Sequence, residues 1–147
     1  MNSKESFMAA ITSGSELKCS MDANGIPVTI YFTKDKYLLI TKTPEAGNVY
    51  SAINLKEKMV YAWADKQMYS TDQLKAMGIE LEPGKKMGVK SDISQQPSEE
   101  IKAEDYKPEW KCELSTYPII LPSDYQFVDM SKFYASASTN GAATPTN

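Results

Sequence analysis

The stretch "MDANGIPVTIYF", residues 21–32, decides how this chain is read. Asn24-Gly25 is a dipeptide suited to positive φ at both central positions of a type I′ turn, whose twist matches that of a hairpin. After it, Val28, Ile30 and Phe32 alternate with Thr29 and Tyr31, the period of a half-buried strand. An antiparallel pair is therefore expected between "SELKCSM" (15–21) and "VTIYF" (28–32).

The pattern continues outward. Thr33 to Asp35 reverses the chain into "KYLLITK" (36–42), Pro44 to Gly47 reverses it into "NVYSAINL" (48–55), and Lys56-Glu57 leads to "KMVYAWA" (58–64) and a short "QMYS" (67–70). Strands joined by short polar turns predict a sheet over residues 16 to 70. On the N-terminal side, "KESFMAAITSG" (4–14) has helical spacing, with Phe7, Ala10 and Ile11 on one side and Gly14 as a stop. A second helix is written into "STDQLKAMG" (70–78): Ser70 is the cap, Gln73 the reciprocal partner, Gly78 the stop, and Leu74 and Met77 face the sheet. The fold class is α+β, a curved antiparallel β-meander or half-barrel packed with short helices.

From Glu80 to Pro108 the chain is polar and turn-rich, pinned by Met87, Val89, Ile93 and Ile101, with one helical turn expected after Ser98. "EPGKKMG" (82–88) lacks the phosphate-loop arrangement, and a type II turn at Pro83-Gly84 accounts for it. "EWKCEL" (109–114) and "YPIILPSDYQFVDM" (117–130) restore apolar density; Pro118 and Pro122 interrupt sheet, and "YQFVDM" adds an edge strand. Residues 1–134 read as a single β-rich domain, and 135–147, "ASASTNGAATPTN", as a disordered polar tail.

Composition removes several functions. The 16 basic groups are all lysine, against 19 acids, so neither a positive field nor an arginine fork supports nucleic-acid binding. With no histidine and two cysteines, a conventional transition-metal centre, a histidine base and a serine triad are all without support. "DANG" (22–25) supplies no calcium loop. The carboxylates left to consider are Asp22, Asp65, Glu113, Asp124 and Asp129, isolated residues that define no acid–base pair. No catalytic residue, metal site or cofactor is assigned, and the expectation is a protein that is not an enzyme. No apolar run is long enough to cross a bilayer, and the polar "NSKES" after Met1 does not read as a signal peptide. An exported protein would have lost its targeting segment before this point.

Three readings of Cys19 and Cys112 are open: two buried thiols, one disulfide, or a reactive thiol, the last without a histidine to serve it. The disulfide is favoured because both cysteines lie in similar strand-like stretches, and a bond would tie the C-terminal region to the first strand. It implies an oxidising compartment.

The order of an N-terminal helix, "SGSELKCSM" (13–21), "GNVYSAINLKEKMVYAWADKQMYS" (47–70), and a late "YKPEWKCE" (106–113) leading to "LPSDYQFVDM" (121–130) resembles a family of small exported or lipid-anchored bacterial proteins. That family is similar to the lipoprotein-carrier (LolA/LolB-like) half-barrel class. The resemblance covers roughly residues 4 to 130 and is carried by Cys19, Tyr61, Trp63, Cys112, Pro122, Asp124 and Phe127. It implies an extracytoplasmic location (periplasmic, cell-surface or secreted) and an apolar or lipid-like ligand between sheet and helices.

Read from its own residues, "MVYAWA" (59–64) puts Met59, Tyr61 and Trp63 on one strand face. These three are the candidate ligand-binding residues, able to line an apolar cavity; an ordinary filled core explains the same periodicity and is the better-supported reading. The leading expectation is a non-catalytic extracytoplasmic domain binding an apolar or lipid-like ligand. The alternative is a structural or protein-interaction domain with a filled core, using the exposed "YPIILP" (117–122) as a contact patch.

Overall fold

The computed structural model describes residues 3–67, 69–94 and 106–131. Over these residues it is an α+β fold in which two short helices pack on one mostly antiparallel sheet. In chain order the elements are α1 (Lys4–Thr12), β1 (Leu17–Ala23), β2 (Ile26–Phe32), β3 (Lys36–Thr43), β4 (Gly47–Asn54), β5 (Met59–Ala64), α2 (Thr71–Ala76), β6 (Lys86–Asp92), β7 (Lys111–Leu114) and β8 (Tyr125–Asp129). The eight strands lie in the order β7-β1-β2-β3-β4-β5-β6-β8, an open sheet with β7 and β8 at its edges.

The first hairpin forms as its turn dictates. Asn24 and Gly25 hold φ of 56° and 85°, and Asp22 Oδ1 accepts from the Gly25 N–H, fixing the register that pairs Cys19 with Ile30 and Leu17 with Phe32. The meander runs to β5 through such local reversals. It then departs from the expected limits: the sheet does not end at residue 70. "QMYS" is no strand over its described residues, since Ser70 instead caps α2 in a complete capping box with Gln73. The turn-rich segment after Glu80 contains β6, which pairs antiparallel with β5. At Pro83-Gly84 the chain turns with Gly84 at φ 80° and the Lys85 N–H donating to the Glu82 carbonyl, as expected of a type II turn. "YQFVDM" supplies the edge strand β8, but in parallel with β6 (Gly88 beside Phe127, Val89 beside Val128). The expected turn after Ser98 and the expected tail at 135–147 lie outside the described residues.

Side-chain alternation gives the sheet two faces with different covers. On one, α1 lies over the β7-β1-β2 end: Phe7, Ala10 and Ile11 pack with Leu17, Cys19, Phe32, Tyr106 and Cys112. Toward the other end of that face, Leu74 of α2 packs with Met87 and Met130, and Met77 adds to the cluster. Both helices stop at glycine in the left-handed region, Gly14 and Gly78, with Ser15 and Ile79 N–H groups donating back to the Ala10 and Leu74 carbonyls. The disulfide Cys19–Cys112 joins directly opposed residues of β1 and β7, both buried, and staples the edge strand to the meander.

The opposite face carries a second aromatic cluster. Leu38, Ala52 and Trp63 are buried there, and Tyr31, Ile40, Tyr50, Tyr61, Tyr125 and Phe127 pack around them. Its cover is not a helix but the irregular "YPIILP" (117–122): Ile119 joins the cluster, and the ring of Tyr117 stacks on Tyr31 at 4.5 Å. Prolines at both ends of this strap keep it from adding to the sheet, so it crosses the face as a lid of side chains.

Gly88 shows how closely β6 and β8 approach. A methyl group there would lie 2.6 Å from Phe127 Cε1 and 3.1 Å from the Ala62 carbonyl oxygen. The Phe127 ring occupies the space a side chain would need. Gly88→Ala is expected to destabilise by about 1–3 kcal/mol through overpacking, read as a lowered urea midpoint at constant slope. An unchanged midpoint would show that the ring yields without cost.

Candidate functional site

The site worth describing lies where the strap meets the aromatic face. Two open clefts flank it. The larger, about 590 Å³, has Tyr50, Trp63 and Tyr125 on the sheet side and Tyr117, Ile120 and Leu121 on the strap side. The smaller, about 310 Å³, lies against Ala52, Ile53 and Tyr61 under Ile119, Ile120 and Leu121. A third cleft, about 760 Å³, lies elsewhere, beside α2 and lined by Tyr69, Leu74 and Ile79 among others.

The structure separates the three candidate ligand-binding residues. Trp63 is only 6% exposed. It stacks parallel on Tyr50 at 5.1 Å and meets Phe127 edge-on at 5.7 Å. Tyr61 is half-buried, edge-on to Phe127 at 5.4 Å, and borders the smaller cleft. Met59 stands at the start of β5, opposite Asn54 and Asp92. Ring-to-ring contacts within the chain therefore engage both Tyr61 and Trp63.

Polar groups hold the rings of the larger cleft in place. Tyr50 Oη donates to Asp65 Oδ1 at 3.1 Å, while Asp65 Oδ2 accepts the Asn48 N–H at 3.0 Å. Tyr125 Oη donates to the Ala64 carbonyl. Lys86 Nζ sits 5.5 Å from the centre of the Tyr125 ring. Burial pushes the Tyr50, Tyr61 and Tyr125 hydroxyls above the ordinary phenol pKa, with nearby carboxylates adding to each shift.

Of the five carboxylates considered from sequence, Asp65 and Asp124 line the larger cleft together. Asp22 serves the first hairpin turn, Glu113 lies exposed opposite Lys18 on the β7 edge, and Asp129 ends β8 beside Lys90. Both Asp65 oxygens already accept hydrogen bonds, which casts this residue as an anchor for Tyr50. Among the described residues, no group of three or more metal-ligating side chains is present, and no helix is long and apolar enough to cross a membrane.

The strap is the segment expected from the sequence as an exposed contact patch. Ile120 is 71% exposed and Leu121 and Tyr117 are also exposed, with Leu114 at the end of β7 67% exposed. The signal for this was present in "YPIILP": an apolar run between prolines that cannot be a central strand must put some of its side chains outward.

Fold and site together define a disulfide-stapled, open-sheet α+β domain with an apolar strap over an aromatic face. Comparison with protein-family models, with curated proteins and with solved structures found no match to the chain.

Proposed function

We propose that this chain is a non-catalytic, extracytoplasmic interaction domain that binds another protein through its 117–122 strap. The observation that carries the reading is the exposure of Ile120, Leu121 and Tyr117 on a segment whose remaining apolar residue, Ile119, is used for the core. Large apolar side chains grouped on one short segment are the usual mark of a contact surface. The buried rings beneath supply a rigid base, so little ordering is needed on binding. The Cys19–Cys112 bond supports an oxidising compartment.

The lipid-carrier reading shares the location but needs an enclosed apolar space. Trp63, its central candidate, is instead packed by Tyr50 and Phe127, which favours the interaction reading.

The test places a photo-crosslinking residue at Ile120 and, as a control on the opposite face, at Ala76 of α2, in the protein produced in its own cell. A discrete protein adduct from position 120 alone is the expected result. Acyl-chain adducts at 120 would instead support the carrier, and equal labelling from both positions would overturn the assignment of the strap.

A further inference from the structure

The larger cleft differs in chemistry from its neighbour under the strap. Four aromatic residues, Tyr50, Trp63, Tyr117 and Tyr125, share its lining with the carboxylates of Asp65 and Asp124. We propose that this cleft binds a small organic cation of the alkylammonium class, best a quaternary ammonium.

Three observations point the same way. An aromatic face attracts a cation through its quadrupole when the charge lies within about 6 Å of the ring centre. One ring of the cleft already does so, since Lys86 Nζ lies 5.5 Å from the Tyr125 centroid. The charge is also of the right sign: Asp65 and Asp124 bring two carboxylates to the lining against the single ammonium of Lys86, an excess of negative charge. That excess attracts a bound cation. Finally, the walls are set before binding, because Asp65 fixes Tyr50, the Ala64 carbonyl fixes Tyr125, and Tyr50 lies flat on Trp63.

The class of cation follows from the lining. With no group of three metal-ligating side chains among the described residues and Ile120, Leu121 and Pro122 in the wall, the cleft suits a diffuse charge wrapped in methyl groups. Ile120 and Leu121 at the strap edge would meet those methyls. The cleft shares Tyr117, Ile120 and Leu121 with the strap, but choline binding is read on the isolated protein and strap binding by crosslinking at 120, so each proposal fails on its own measurement.

The test is an NMR titration of the indole N–H signals of Trp63 and Trp110 with choline, and in parallel with 3,3-dimethylbutan-1-ol, its uncharged isostere. Choline is expected to shift the Trp63 signal saturably and leave Trp110 in place. The neutral isostere should bind at least about tenfold more weakly. Asp124→Asn should weaken choline binding by about threefold or more, and Lys86→Gln, which removes the resident competitor, should tighten it. Retention on phosphatidylcholine vesicles that excess choline competes away would identify a lipid headgroup as the source, and choline binding without retention a free cation. No saturable shift of Trp63, or equal affinity for choline and its isostere, overturns the proposal.

Discussion

Replacing both cysteines, Cys19→Ala with Cys112→Ala, is expected to cost about 4–5 kcal/mol of stability and about 15 °C or more in Tm. The bond closes a loop of 93 positions, and the loss of unfolded-chain entropy grows with the logarithm of that length. The local consequence should be larger than the global one. β7 has four residues and pairs only over Leu17–Leu114 to Ser20–Lys111, an edge ladder with little hold of its own. Tyr106 and Trp110 reach the α1 cluster from the segment just before it. In the double variant, hydrogen exchange at residues 106–114 should therefore rise well before exchange in β2 to β5. Uniform protection across the sheet would show that packing of Tyr106 and Trp110 alone suffices to hold the edge.

Trp63→Ala is expected to destabilise by about 3–5 kcal/mol, the range for deleting a large buried ring. The same substitution separates two roles for the aromatic face. A residue lining a solvent-filled cavity loses few contacts on truncation. Trp63, by contrast, packs against Tyr50, Tyr125 and Phe127 and shares a cluster with Leu38 and Ala52. Its removal leaves a void beneath the strap and frees Tyr50, whose hydroxyl stays tied to Asp65. Denaturant unfolding measures the loss. A shift below about 1 kcal/mol would mean that these contacts carry little of the packing, and would revive an enclosed apolar ligand beneath the strap.

Much of this architecture was written locally. Asn24-Gly25 announces its turn because the required φ values belong to those two residue types. Ser70, Gln73 and Gly78 likewise mark the whole of α2, since caps satisfy backbone groups within a few residues of themselves. The strand β6 was not legible in the same way. In "KMGVKSD" (86–92) only Met87 and Val89 show alternation, and on the other face Gly88 shows nothing at all. Its missing side chain is the seat of Phe127, which lies far along the chain. A strand whose apolar partner is supplied from elsewhere carries only half of its own pattern. The parallel pairing of β8 was hidden for a related reason: "YQFVDM" reads as an edge strand in either direction, and only the path of the strap before it fixes which.

The candidate site divides the same way. Periodicity placed Met59, Tyr61 and Trp63 on one face, because alternation is a property of the strand itself. Which neighbours each would meet depended on register and on the strap. Tyr61 and Trp63 were drawn into ring contacts while Met59 was left at the end of the strand. Asp65 and Asp124, far apart in sequence, came to share one cleft.

By itself, then, the sequence determined the reversals, the helix ends, the alternation of each strong strand and the identity of the only two cysteines able to pair. These depend on φ preferences, capping hydrogen bonds and composition, all of which act at short range or need no geometry. Tertiary structure alone decided that β8 would run parallel to β6, and that an irregular strap would cover the aromatic face. It also decided that the covered rings would pack on one another, because that depends on the close approach of Phe127 to Gly88 and on where Ile119 comes to rest.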